Sequence, residues 1–229
     1  MDKQIYIADD EKNIRNLIKA FLEKEGYQVQ AFENGDLLFN QFIKTPCDLV
    51  ILDVMMPGSS GLLICTKLRE LSNIPILMLT ARDTDEDYIS GISLGSDDYF
   101  TKPFSPIKLI MRVKAMFRRI SMDTSSLANK ADDDITIADL HLDAQKLQAY
   151  VKNKELHLTG TEFNMLKYLC KNHNRAISRE ELLNKIWGFD SAVETRATDA
   201  AVKRLRKKLL DAKSDVVIDT VWGHGFRIR

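Results

Sequence analysis

Asp53 closes the apolar run Leu49-Val50-Ile51-Leu52, so one carboxylate stands at the C-terminal lip of what reads as a buried parallel strand. Three further strand-like runs also end in polar groups: Ile5-Tyr6-Ile7-Ala8 in Asp9-Asp10, Ile76-Leu77-Met78-Leu79 in Thr80, and Tyr99-Phe100-Thr101 in Lys102-Pro103. In an open α/β sheet, ligands bind in the crevice beyond the carboxyl ends of the strands. A single acid there is an ordinary turn residue. Acids, a hydroxyl and an ammonium on four strand ends make a site. Asp9, Asp10 and Asp53 would repel one another unless a hard divalent cation sat among them. Mg²⁺ fits, because it is held by one or two carboxylates plus waters and phosphate oxygens. A carboxylate in that setting can act as a nucleophile and form an aspartyl phosphate. Lys102 would pair with the transferred phosphoryl group, and Thr80 would donate a hydrogen bond to one of its oxygens. The chain has no GxxxxGK[ST] loop, so ATP bound by this chain is not the expected donor.

The elements that must position these groups alternate. Helical patterns begin near Asn13, Asp36, Gly61, Thr84 and Pro106, between the strands already named and Tyr27 to Phe32. Five βα repeats predict a doubly wound, flavodoxin-like parallel sheet over residues 1–120. The last helix, Pro106 to Ile120, ends in Arg118-Arg119, which suits a helix C-terminus. Residues 121–133 have no apolar periodicity and read as a flexible linker. Beyond it the pattern changes to short strands: Ile135 to Leu142, Leu147 to Val151, and Leu156 to Leu158, with a turn at Asn153-Lys154. Thr159-x-x-Glu162 and Ser178-x-x-Glu181 have the form of capping boxes, each opening a short helix. A third helix runs from about Thr195 to Leu210, and the chain ends in a hairpin, Val216 to Thr220 and Phe226 to Ile228. Residues 134–229 form the second domain.

Composition agrees with two domains. At 229 residues each half can bury a core. No run approaches the roughly 18 apolar residues of a membrane span, and the strand that follows Met1-Asp2-Lys3 leaves no room for a signal peptide. A cytoplasmic protein is expected. Cys47, Cys65 and Cys170 are odd in number and lack CxxC spacing, so they read as reduced core residues. His141, His157, His173 and His224 lack ligand spacing. The chain is neutral overall, with 33 basic and 33 acidic residues, but the halves differ. Residues 1–120 hold 15 basic and 17 acidic side chains, a net of −2, and residues 134–229 hold 17 and 13, a net of +4.

Within the basic half, the helix at 195–210 turns Thr198, Val202, Leu205 and Leu209 inward. It collects Arg196, Asp199, Ala200, Lys203, Arg204 and Lys207 on the other face. That face is either a solvated surface or the groove-reading surface of a helix-turn-helix unit, whose recognition helix enters the major groove. Ala197, Ala200 and Ala201 would let the backbone approach a duplex. Arg204 is the expected base reader and the lysines the expected phosphate contacts. Trp187 could donate to a DNA phosphate or anchor the core. Trp222 could touch DNA from the hairpin or pack on it.

Two resemblances follow from these residues. Asp9-Asp10-Glu11, Asp53 with Met55-Met56-Pro57, Thr80-Ala81 and Lys102-Pro103-Phe104 resemble the receiver domain of bacterial two-component response regulators. The stretch Arg196 to Arg206 with Thr220 to Phe226 resembles the recognition helix and wing of the OmpR/PhoB subfamily, as do Leu158 to Phe163 and Leu183 to Trp187. The resemblance implies phosphorylation of Asp53 by a partner histidine kinase, with Mg²⁺ held by Asp9, Asp10, Asp53 and the backbone carbonyl of Met55. It also implies a conformational switch made by Thr80 and Tyr99. For the second half it implies a winged helix behind a four-stranded sheet, with Arg206 counted among the residues that touch promoter DNA. Loop 188–194 is where the subfamily often meets RNA polymerase. Ala200 and Ala201 depart from the larger residues common at those positions. The subfamily dimerises through its fourth helix, fifth strand and fifth helix. Here Ser90 and Lys108 replace one ion pair, while Asp97, Asp98, Arg112 and Arg119 could supply others. A weak, phosphorylation-promoted dimer on tandem half-sites is expected. The alternatives are a Mg²⁺-dependent phosphohydrolase, against which Met55 stands where a general acid is needed, and a regulator that binds DNA without phosphorylation.

Overall fold

A computed structural model describes residues 3–81, 95–121, 134–188 and 195–229. The chain divides into two compact units, Met1–Lys114 and Ala115–Arg229, each described by itself below.

In the first unit the elements run β1 (Gln4–Ala8), α1 (Lys12–Lys24), β2 (Gln28–Phe32), α2 (Gly35–Lys44), β3 (Leu49–Asp53), α3 (Gly61–Leu71), β4 (Ile76–Ala81), β5 (Asp98–Lys102) and α4 (Pro106–Ser121). The five strands are parallel in the order β2-β1-β3-β4-β5. Ile5 to Ala8 and Leu49 to Leu52 are fully buried. Parallel strands covered by helices on both faces are apolar on both sides for this reason. The chain reverses its direction of winding between β1 and β3, and the crevice of a doubly wound sheet opens at that point. Ala8 pairs with Leu52 in register, which brings the next residues, Asp9 and Asp53, to the same lip. The helix expected from Thr84, with Arg82 and Ser90, lies outside the described residues.

After the end of α4, which runs past Lys114, the second unit has an antiparallel sheet of β6 (Ile135–Ile137), β7 (Leu140–Asp143), β8 (Gln148–Val151) and β9 (Lys154–Leu156). The run expected as one strand from Ile135 to Leu142 is two: Ala138 takes a positive φ of 50° and turns the chain back on itself. Next come α5 (Gly160–Lys171) and α6 (Arg179–Leu182), which continues as a wider π turn over Leu183–Trp187. Gly188 ends that turn at φ 76°. Then follow α7 (Thr195–Asp211), β10 (Ile218–Val221) and β11 (Gly225–Ile228). Helix α5 has a complete capping box: Thr159 accepts from the Glu162 N–H, and Glu162 accepts from the Thr159 N–H. At α6 only half of the expected box is described. Ser178 accepts from the Glu181 N–H, but the Glu181 carboxylate is engaged by Tyr168 and Arg175. The terminal hairpin is tied to the helices by a bridge between Ile177 and Phe226. That bridge needs glycine at 225: φ is 125°, and a Cβ there would stand 2.0 Å from the Ile177 carbonyl oxygen.

Among the described residues no helix is long and apolar enough to cross a membrane. Cys47, Cys65 and Cys170 are free and buried, and burial pushes the Cys47 and Cys170 thiols up to about 12. Cys47 and Cys170 are therefore held as thiols, not thiolates.

Candidate functional site

The strand ends meet as their sequence positions require. Carboxylate oxygens of Asp9, Asp10 and Asp53 lie within 4.8 Å of one another, with Asp9 and Asp53 buried and Asp10 exposed. Lys102, at the end of β5, sends its Nζ to 2.6 Å from Asp53 Oδ2 and 2.8 Å from Asp9 Oδ2. A third carboxylate, Glu11 Oε1, stands 3.1 Å from the same nitrogen. The other oxygen of Asp53 accepts from the Met55 N–H at 3.2 Å, and the Met55 side chain is exposed at the rim. The Glu11 N–H donates to Asp9 Oδ1. Thr80 and Tyr99 are both buried on neighbouring strands.

Burial pushes the Asp9 carboxyl up, against the pull of Lys102 and the Glu11 N–H. Burial acts the other way on Lys102, but hydrogen bonds from its ammonium to Asp53 and Asp9 outweigh it and hold the group above the usual lysine range. The result is an ammonium charged at any working pH and bonded directly to the buried carboxylate Asp53. Behind Asp53 the packing leaves no slack. Gly61 opens α3 so close that a Cβ would stand 1.9 Å from the Asp53 carbonyl oxygen. The donor set suits Mg²⁺: all three carboxylates offer hard oxygens, and no thiol or imidazole is among them.

The residues expected at a dimer interface are committed within the first unit. Asp97 pairs with Arg69 of α3 and accepts from the Ile76 N–H. Asp98 accepts from Arg112 Nη1 at 2.8 Å, and the Arg112 guanidinium lies over the Phe100 ring. The side chains of Asp97, Asp98 and Arg112 are at least nine-tenths buried. Within this chain they hold β5 to α3 and α4. Lys108 is exposed, and the Arg119 side chain lies outside what is described.

In the second unit α7 has the expected inward face of Thr198, Val202, Leu205 and Leu209. Its outer face is narrower than its sequence suggests. Arg204 is engaged within the domain: its Nε is bonded to Glu162 Oε1 at 3.0 Å, and its side chain is only 10% exposed. Lys208 holds the other oxygen of Glu162 at 2.6 Å. Arg206 donates to the Ile218 carbonyl and to Thr220 Oγ1 and lies over the Phe226 ring, which braces the wing. Ala197 and Ala201 are buried, and Trp187, 1% exposed, packs in the core of this unit. Lys203 and Lys207 remain exposed, with Ala200 half-buried between them and Asp199. Asp199 is gripped by both Nε and Nη2 of Arg179, which comes from α6 and lies over the Phe226 ring. Trp222 is 89% exposed at the hairpin tip. The Arg196 side chain and residues 189–194 lie outside the described residues.

The sequence reading missed Arg179 and the clamp on Glu162. Glu162 was legible only as a cap, because its partners sit 42 and 46 residues away.

Comparison with known proteins agrees with both halves. Residues 5–114 match the response regulator receiver domain, and residues 153–228 match the C-terminal domain of transcriptional regulatory proteins. The chain is 38% identical to the regulatory protein VanR of Enterococcus faecium, covering all of this chain and 99% of that one. It is 36% identical to the transcriptional regulatory protein SrrA of Staphylococcus aureus, covering 99% and 95%. Among solved structures it is similar to the Thermotoga maritima regulator DrrB, an OmpR/PhoB homolog, with 32% identity, a TM-score of 0.52 and 99% of both chains covered. It is also similar to a RitR mutant, with 26% identity, a TM-score of 0.77 and the same coverage. A receiver domain followed by this C-terminal domain defines the OmpR/PhoB family of two-component response regulators, and this chain belongs to it.

Proposed function

We propose that Asp53 accepts a phosphoryl group from the phosphohistidine of a partner sensor kinase, and that the modified protein dimerises and binds promoter DNA. The observation that carries this is the setting of Asp53: buried, with one oxygen on the Lys102 ammonium and the other on the Met55 N–H. In the transfer, an Asp53 oxygen forms a bond to phosphorus as the phosphorus–nitrogen bond of the donor breaks. The departing imidazole takes up a proton. Asp9, Asp10, Asp53 and the Met55 carbonyl would hold Mg²⁺, which supplies positive charge to the phosphoryl oxygens when bound. Lys102 exchanges its bond to the Asp53 carboxylate for one to a phosphoryl oxygen. Thr80 donates to another, and Tyr99 on the adjoining strand follows it as the switch. Burial of Asp53, Thr80 and Tyr99 limits water, and Met55 at the rim hinders its attack, so self-hydrolysis is slow.

In the same reading, residues 1–120 are the signal-receiving half, 121–133 a linker and 134–229 the winged helix, and the protein works in the cytoplasm. DNA contact rests on Lys203, Lys207, Asp199 with Arg179, Ala200, Arg196 and Trp222, with two domains on tandem half-sites about one helical turn apart. Loop 188–194 would be available to RNA polymerase. Incubation with Mg²⁺ and acetyl phosphate tests the core of the proposal. Intact-mass measurement should find one added phosphoryl group, absent in Asp53→Ala and much reduced in Lys102→Ala. Undiminished modification of Asp53→Ala would refute this nucleophile.

A further inference from the structure

We propose that Arg15 is a positioning residue that shapes the loop between β1 and α1 into a cation-binding cradle. The inference rests on the reading of Asp9, Asp10 and Asp53 as the Mg²⁺ site. Arg15 closes the first turn of α1 and its side chain reaches backward. Its Nη1 donates to the Asp9 carbonyl at 2.6 Å and to the Asp10 carbonyl at 2.9 Å. Those two oxygens precede the helix and have no place in its ladder. Among the described residues no backbone N–H donates to either of them. Glu11, at the N-cap of α1, makes no side-chain capping bond, and within the loop Asp9 Oδ1 accepts from the Glu11 N–H.

The consequence is geometric. Fixing two successive carbonyls fixes the two peptide planes that flank Asp10 and hence the direction of its Cα–Cβ bond. Asp9 is held independently, by full burial and by the Glu11 N–H on its Oδ1. Asp10 is exposed, and no side-chain partner is described for it. Mutual repulsion with Asp9 and Asp53 would turn it toward water, and Arg15 resists this through the backbone, without touching its carboxylate. The Arg15 guanidinium also places a permanent positive charge on the outer side of an acid-rich loop that Lys102 alone does not neutralise. Groups that orient ligands in this way without binding the ion typically contribute about 10- to 100-fold to metal affinity.

The test is calorimetric titration of the full chain with Mg²⁺ alone, without a phosphodonor, for the parent, Arg15→Met, Arg15→Lys and Asp10→Ala. Methionine keeps the packed stem and removes every donor. Lysine restores a cation whose several donors can serve both carbonyls. Arg15→Met should bind Mg²⁺ about 10- to 100-fold more weakly, Arg15→Lys should recover most of the loss, and the melting temperature without Mg²⁺ should be nearly unchanged. If Arg15→Met keeps the parent affinity while Asp10→Ala loses it, the role assigned to Arg15 is overturned and the Mg²⁺ site stands. A lowered melting temperature with unchanged affinity also overturns it, because Arg15 would then serve the helix only. A parent that binds no Mg²⁺ overturns the metal site and this inference together.

Discussion

Replacing Arg204 by alanine separates two accounts of the recognition helix. If Arg204 reads a base, the variant folds normally and loses specific DNA affinity. The clamp on Glu162 requires a different result. Glu162 is 1% exposed, and both of its oxygens are held by cations, Arg204 Nε at 3.0 Å and Lys208 Nζ at 2.6 Å. At an effective dielectric near 20, one such contact is worth about 5 kcal/mol of attraction, most of it offset by desolvation of the two charges. Removing one partner of a buried pair typically costs about 3–5 kcal/mol, because the other charge stays buried. Lys208 remains beside Glu162, so about 3 kcal/mol is expected. For a domain of this size that lowers the melting temperature by more than about 10 °C. Thermal unfolding followed by circular dichroism, on the full chain, is the assay. In a Glu162→Gln background the same substitution should cost much less, since the charge it would strand is gone. The pair also has a pH signature. Burial alone would raise the Glu162 carboxyl, but the Lys208 and Arg204 charges overcome it and hold it below the usual carboxylate range. Its stabilisation is therefore complete above the unfolded value near ~4.3 and is lost as pH falls through the lower folded value. The stability gap between parent and Glu162→Gln should narrow on acidification below about pH 4. An Arg204→Ala variant that melts with the parent and loses only specific DNA binding would refute the clamp.

Three further outcomes follow from the same geometry. Arg112→Ala strands the buried Asp98 carboxylate and should destabilise the first unit by about 3–5 kcal/mol; a variant of unchanged stability with weakened self-association would return Arg112 to an interface. Gly61→Ala drives a methyl group into the Asp53 carbonyl oxygen, so a cost of about 1–3 kcal/mol or more and slower phosphorylation by acetyl phosphate are expected, while normal rates would show that α3 can move away. Lys207→Ala, on an exposed side chain, should leave stability within about 0.5 kcal/mol, weaken specific and scrambled duplexes alike, and lower the salt slope by about one. Sequence-selective loss would make Lys207 a base reader.

What the amino-acid order determined by itself is local or periodic. Apolar runs ending in Asp9, Asp53, Thr80 and Lys102 were legible because each strand carries its own terminal residue. The rule that ligands bind at strand C-termini then places all four groups on one side of the sheet. The Thr159 cap, the inward stripe of α7 and the wing hairpin were legible for the same reason, since each is written within a few residues. Tertiary structure decided which cations are already occupied. Arg204, Arg206, Lys203 and Lys207 look alike along a helix, and nothing within α7 indicates that Glu162 or the Ile218 carbonyl will claim two of them. Likewise Asp97 and Asp98 look like surface acids until Arg69 and Arg112 arrive from α3 and α4. Trp187 could face DNA or the core by pattern alone, and packing resolved it inward. Charged side chains are long and find partners across many residues of sequence, so their commitments depend on the assembled fold. Apolar periodicity and turn chemistry act on neighbours, and the sequence states them directly.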